Sequence, residues 1–253
     1  MRLSIAAVLV FLLGACAAPP PLPPALVQGA GAASKDLLLL GEQHDAPLHR
    51  QMQRQVIELL ATQGRLAALA VKMAEQGNTT AGLPADASEQ TVRSALHWNE
   101  AGWQWPTYAP VVMAAVRAGV VVIGANLPRA QMKAAMADGS LDAVLTGAAF
   151  RAQQQAIRVG HCDLLPETQI TSMARIQIAR DRSMAQVLAR AAVPGKTVVL
   201  IAGTRHVDAS LGVPLHLPAN LHAEAAPLPP QPQKKDYCEE LRHRAKPAAI
   251  ASS

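Results

Sequence analysis

The stretch LLLLGEQH, Leu37 to His44, is an unbroken apolar run that stops at a glycine and then presents a carboxylate and an imidazole. Apolar residues without polar alternation suit a strand buried on both faces, as in a parallel sheet covered by helices. Far downstream VVLIAGTRH, Val198 to His206, repeats the order of strand, glycine, two residues and histidine. Two more continuous runs lie between them, AALAVKM (Ala67–Met73) and GVVVIGAN (Gly119–Asn126). Helical patterns separate the runs. Leu48, Met52, Val56, Leu59 and Leu60 recur at helical spacing, with Asp45 as the expected N-cap and Pro47 in the first turn. A second helix is expected to open at Pro110 and end near Gly119, short helices to fill Pro128–Val159, and a longer one to run from about Ser172 to Ala192. The expected fold class is therefore α/β, a mostly parallel central sheet flanked by helices on both faces.

Composition permits such a core. Of 253 residues, 50% are hydrophobic and 16% charged, which excludes a disordered chain. The net charge is only +5 and the cations are scattered apart from Lys234-Lys235, which argues against nucleic acid as a partner. The N-terminus, MRLSIAAVLVFLLGAC, has one cation, an apolar stretch too short to span a bilayer comfortably, and Leu13-Gly14-Ala15 before Cys16. That pattern resembles the bacterial lipobox. Residues 1–15 are expected to be a signal peptide and Cys16 the lipidated mature terminus, so the protein would be anchored to a membrane without crossing it. Ala17 after the cysteine points by resemblance to the outer membrane. The Pro-, Ala- and Gly-rich residues 16–34 form a tether, residues 35–240 a single domain, and residues 241–253 a disordered tail. Setting Cys16 aside leaves Cys162 and Cys238, which an oxidising compartment would pair as a disulfide.

Open parallel sheets bind ligands outside the carboxyl ends of their strands, where Glu42, His44 and His206 are expected. With His161 in GHCDLLPE they could ligate a divalent metal, or they could serve acid–base chemistry. Alternatively, the glycines simply make turns and the histidines satisfy loop carbonyls. Arg180 lies inside the apolar stripe Met173, Ile176, Met184, Val187 and Ala191, flanked by Gln177 and Asp181. A cation there needs a buried carboxylate, Glu42 being one candidate, or an anionic ligand. HWNEAGWQWPTYAP (His97–Pro110) holds all three tryptophans at irregular spacing and is expected to be a lid-like loop. Its aromatics either cap the core or line a flat ligand, with Tyr108 as a possible iron ligand. His49, His97, His216, His222 and His243 are assigned solvated or structural roles.

Taken in order, LGEQH, AVKMAEQG, WQWPTYAPVV, GANLPR, GHCDLLP, ARDRSMA and the AGTRH–GVP segment resemble the ChaN-like haem-binding lipoproteins, relatives of the Tiki and erythromycin-esterase-like proteins. The resemblance implies a helix-sandwiched parallel sheet and a lipid-anchored envelope protein of haem or iron uptake. Haem would be held by a tyrosine, Tyr108 or else Tyr237, with Trp103, Trp105, Lys72 and Arg180 around it and contacts shared across a homodimer. The alternative is a metal-dependent hydrolase with catalytic Glu42, His44 and His206 and a metal on Glu42, His44, His161 and His206. A third is a catalytically inactive envelope interaction protein. One position departs from the pattern. Where relatives carry a glutamate before the strand-ending methionine, this chain has Lys72, which inverts the local charge, weakens metal ligation and suits an anion such as a haem propionate.

Overall fold

A computed structural model describes residues 21–24, 26–27 and 35–245 of the protein. The signal segment, Cys16 and most of the tether lie outside the described residues, as do residues 246–253. Strand β1 (Leu37–Glu42) leads into α1 (Pro47–Thr62) and β2 (Leu66–Glu75). Helices α2 (Glu89–Ala95) and α3 (Trp105–Arg117) precede β3 (Val122–Asn126). Then come α4 (Met132–Ala137), α5 (Gly147–Gly160) and α6 (Glu167–Ala191), followed by β4 (Thr197–Gly203), β5 (Ala223–Pro227) and α7 (Tyr237–Ala245). The five strands form one all-parallel sheet in the order β3-β2-β4-β1-β5.

The apolar runs that define the strands also explain the layers. Alternate side chains of a strand face opposite sides of the sheet. Leu38 and Leu40 join Leu69, Val71, Val199 and Ile201 against Val56 and Leu60 of α1 and Val112 and Val116 of α3. Leu37 and Leu39 join Ala68, Ala70, Val198 and Leu200 against Met184, Ala185 and Leu188 of α6. Helices therefore cover both faces, which is why the runs tolerate no polar alternation. Among the described residues no helix is long and apolar enough to cross a membrane.

Several boundaries differ from the sequence expectation. The N-cap of α1 is Ala46, without a side-chain cap. Asp45 instead accepts the Lys234 backbone N–H at 3.1 Å and the Gln43 amide at 2.8 Å. Helix α3 starts at Trp105, with Pro106 in its first turn where a missing N–H costs nothing, and Pro110 lies inside it. Helix α6 begins at Glu167, directly after Pro166. The assigned tail boundary at residue 240 falls within α7, and Leu22 and Leu26 of the assigned tether pack on the core. Cys162 and Cys238 form a disulfide, with Cα atoms 5.4 Å apart, that ties α7 to the turn after α5.

Candidate functional site

Strands β1 and β4 are neighbours in register, Gly41 opposite Ala202 and Glu42 opposite Gly203, so both Gly-x-x-His segments leave the sheet side by side. The glycines are needed for close approach. A Cβ on Gly41 would lie 2.4 Å from Val207 Cγ2, and one on Gly203 would lie 3.0 Å from His44 Nε2. The His206 ring lies 3.9 Å from the same Cβ position, so both histidines meet at the β4 terminus.

Glu42 shares strand parity with Leu38 and Leu40 and points to the α1–α3 side. Its carboxylate is fully enclosed and accepts four hydrogen bonds. Tyr108 Oη and His44 Nδ1 donate at 2.8 Å to one oxygen. Gln53 Nε2 at 2.6 Å and the Arg50 guanidinium donate to the other. Burial alone would raise the Glu42 pKa, but the His44 hydrogen bond and the Arg50 charge outweigh it, so the carboxyl is held below its ordinary value. The partner of Glu42 is therefore Arg50, and Arg180 makes no ion pair with it.

On the opposite side His206 Nδ1 donates to Asp181 Oδ1 at 2.6 Å. Burial pushes the Asp181 carboxyl up and the His206 imidazole down, against their mutual attraction. Lys72 comes from β2 with the parity of Ala68 and Ala70, toward α6. Its ammonium lies 4.7 Å from the Trp103 ring centroid, and burial, then repulsion from Arg180, lowers its pKa to about 8. The Trp103 ring also meets His44 edge-on at 4.8 Å.

These groups bound a cavity of about 750 Å³ at the carboxyl edge of the sheet. The strand ends give Glu42, His44, Lys72 and His206, α6 gives Arg180 and Asp181, and the end of α5 gives Gly160 with His161 just beyond it. The remaining wall is a strap, residues 228–245, which contributes Gln233 and Tyr237. His49 fixes the strap, accepting the Gln43 N–H at 3.0 Å and donating to the Pro229 carbonyl at 2.8 Å. Leu228 N donates to Gly41 O at 2.8 Å, and the disulfide pins the strap's far end.

Not every expected residue reaches this cavity. Tyr108 is only 3% exposed, and its hydroxyl is committed to Glu42 and accepts from Arg50 at 3.1 Å. Burial and the Glu42 charge push its pKa up, so the phenolate expected as an iron ligand is not presented. Trp98 and Trp105 are buried in the α1–α3 core, and Trp105 Nε1 donates to Glu89 at 3.1 Å. The expected aromatic lid is core, with Trp103 alone among its tryptophans turned toward His44 and Lys72. The expected metal set is not assembled either: no three His, Cys, Asp or Glu side chains among the described residues could hold an ion together. His161 does line the cavity, with Nδ1 donating to the Ile157 carbonyl at 2.8 Å and Nε2 left over.

Sequence reasoning missed Arg50 and Gln53, while His49, assigned a solvated or structural role, holds the strap. Their signal was spacing: His49, Arg50, Gln53, Val56, Ile57 and Leu60 are the inward face of α1, rotated from the expected stripe. Leu48 is 39% exposed.

The sequence matches the family described as haem-binding uptake, Tiki superfamily, ChaN, over residues 30–217, about three-quarters of the chain. The chain belongs to this ChaN-like family. A solved structure described as cofacial haem binding to ChaN of Campylobacter jejuni has the same fold, with a TM-score of 0.59 and 24% identity over 76% of this chain and 78% of that one. No curated protein matches the chain. In this ChaN-like protein the family match ends before β5, so the strap with Tyr237 and Cys238 lies beyond it.

Proposed function

We propose that the chain binds haem in the cavity at the carboxyl edge of the sheet and serves haem or iron uptake from the cell envelope. One observation carries this beyond family membership. A single cavity of about 750 Å³ presents a phenol, Tyr237, and an imidazole, His161, whose outward nitrogen has no other partner among the described residues. These are the side-chain types that ligate haem iron. Tyr108 is enclosed, whereas Tyr237 lines the cavity and is 37% exposed, and Tyr237 therefore replaces it as the assigned axial ligand. Its pKa is raised by burial and by Asp45, so iron rather than the protein environment must drive its deprotonation on binding. Bound haem would supply a ferric centre suited to reversible transfer.

The same reading places the protein on the outer membrane through a lipid on Cys16, facing the periplasm. Val159 and Leu164 stand 53% and 41% exposed next to the cavity-lining Gly160 and His161, and a second copy of the chain would cover them. Titration of the mature protein with ferric haem is expected to give a shifted Soret band with the charge-transfer absorption of a phenolate ligand. Tyr237→Phe is expected to lose that absorption and Tyr108→Phe to keep it. A Soret band unchanged from free haem would remove the proposal.

A hydrolase reading is favoured by one feature, the two histidine–carboxylate pairs that flank Gly203. With Nδ1 donating to Glu42, His44 has its Nε2 lone pair free as a general base. Hydrolysis of activated esters abolished by His44→Ala would support it, and turnover no faster than buffer would end it.

A further inference from the structure

Two cations that line the cavity, Lys72 and Arg180, form no ion pair among the described residues. Lys72 is 8% exposed, and its ammonium lies over the Trp103 ring and forms no ion pair among the described residues. Arg180 Nε is buried without an acceptor among the described residues, and its Nη2 reaches only the Met132 sulfur at 3.4 Å, a weak acceptor. The carboxylates nearby are committed, Glu42 to four donors and Asp181 to His206 at 2.6 Å. Glu42 and Asp181 both attract the Lys72 ammonium, and Asp181 the half-buried Arg180, but Glu42 is ion-paired with Arg50 and Asp181 with His206, and neither forms an ion pair with Lys72 or Arg180. Burying a charge without a partner is strongly unfavourable. Both cations line a cavity that a ligand can enter.

We infer that Lys72 and Arg180 form an oxyanion subsite that takes one carboxylate of the bound ligand. That the carboxylate belongs to a haem rests on the function proposed above, whereas the subsite itself rests on the two cations without an ion pair. A carboxylate offers enough lone pairs to accept from the ammonium and from the guanidinium fork together. The cavity then selects for ligands bearing an acid group, independently of what binds iron.

The test uses the mature, disulfide-intact protein and tryptophan quenching, with Trp103 as reporter. Ferric haem and iron-free protoporphyrin are each compared with their dimethyl esters, which lack the charge. The esters are expected to bind about tenfold to a hundredfold more weakly, the range of a charge-assisted hydrogen bond. In Lys72→Met and Arg180→Met the acid and ester are expected to bind alike, whereas Tyr237→Phe keeps the acid-over-ester ratio. Each methionine variant is also expected to melt at or above the wild-type temperature without ligand, because it removes a cation that forms no ion pair. Equal binding of acid and ester by wild type overturns the inference, and so does a lower melting temperature in both variants. A porphyrin-free arm separates the two readings. Acetate or inorganic phosphate is expected to raise the Lys72 titration midpoint. If the midpoint moves but no porphyrin binds, the subsite stands without haem. If neither anion moves it, the subsite fails whatever haem does.

Discussion

Opening the Cys162–Cys238 bridge is expected to destabilise the protein and to damage one wall of the cavity selectively. The bridge spans a sequence separation of 76. The loop-closure rule then gives about 15 cal/mol/K of restricted unfolded-chain entropy, about 4.5 kcal/mol at 25 °C. That is an upper value for the paired variant Cys162→Ser/Cys238→Ser. The folded strap also gains freedom once the bridge is gone, but only beyond residue 234. Up to there it is held by Leu228 N to Gly41 O at 2.8 Å, Gln231 N to Gln43 Oε1 at 3.2 Å and Lys234 N to Asp45 Oδ2 at 3.1 Å. The expected loss is therefore about 2–4.5 kcal/mol, read from urea unfolding of the variant against the oxidised protein. Trypsin is expected to cut at the exposed Lys234-Lys235 well before global unfolding. Haem affinity should fall because Tyr237 adjoins Cys238, while the acid-over-ester preference set by Lys72 and Arg180 should persist. A stability change under about 0.5 kcal/mol with unaltered trypsin resistance would refute the reasoning, since the strap would then be held without the bridge.

Glu42→Gln is expected to cost about 3–5 kcal/mol in urea melts, because it leaves the buried Arg50 guanidinium without its counter-charge. The folded Glu42 pKa lies below its ordinary value of 4.5, so its contribution is full above that pH and is lost as pH falls through the folded value. Melts of wild type should weaken in acid by a component that the glutamine variant lacks. Lys72 gives a slope of the same sign from the opposite cause, a charge disfavoured in the folded state: its folded pKa of about 8 lies below 10.5, so the unfolded chain binds the extra proton between them. Wild type should gain stability relative to Lys72→Met as pH rises across that window, and binding of acid porphyrins should weaken above about pH 8. Parallel pH profiles in the two proteins would contradict this. Gly41→Val is expected to cost at least about 1–3 kcal/mol by overpacking, since even a Cβ meets Val207 at 2.4 Å; an unchanged melting temperature would deny that contact.

The sheet was largely legible because burial on both faces leaves a plain sequence trace. LLLL, AALAV and VVLIA admit no polar residue, and all three are central strands. Strand β5 left no such trace. Its sequence AEAAP has no β-branched residue, and it is an edge strand half open to solvent whose place is set by pairing with β1. Helix α1 misled for a different reason. Its inward face includes His49, Arg50 and Gln53, which a hydrophobic stripe cannot reveal. Only the need of a buried Glu42 for donors predicts them, and that need becomes visible once the carboxylate is known to be enclosed. Tyr108 was drawn to the same carboxylate, so a residue placed in the ligand site by motif belongs to the framework behind it.

The two Gly-x-x-His turns converge because β1 and β4 are adjacent and parallel, yet they do not make one metal centre. Each histidine gives Nδ1 to a different carboxylate, His44 to Glu42 on the α1–α3 side and His206 to Asp181 on the α6 side. Orientation by separate carboxylates on opposite faces of the sheet keeps both rings fixed and leaves neither acid free to ligate. Lys72 then decides the sign of the cavity. A carboxylate at that position would face Arg180 and cancel it, making that part of the cavity close to neutral. The lysine instead adds a buried cation beside the half-buried Arg180, and the repulsion between them lowers the lysine pKa, second only to burial itself. On the function proposed above, ligand choice would fall on residues outside the framework that holds the histidines: Lys72 and Arg180, and Tyr237 on a strap whose far end the disulfide pins.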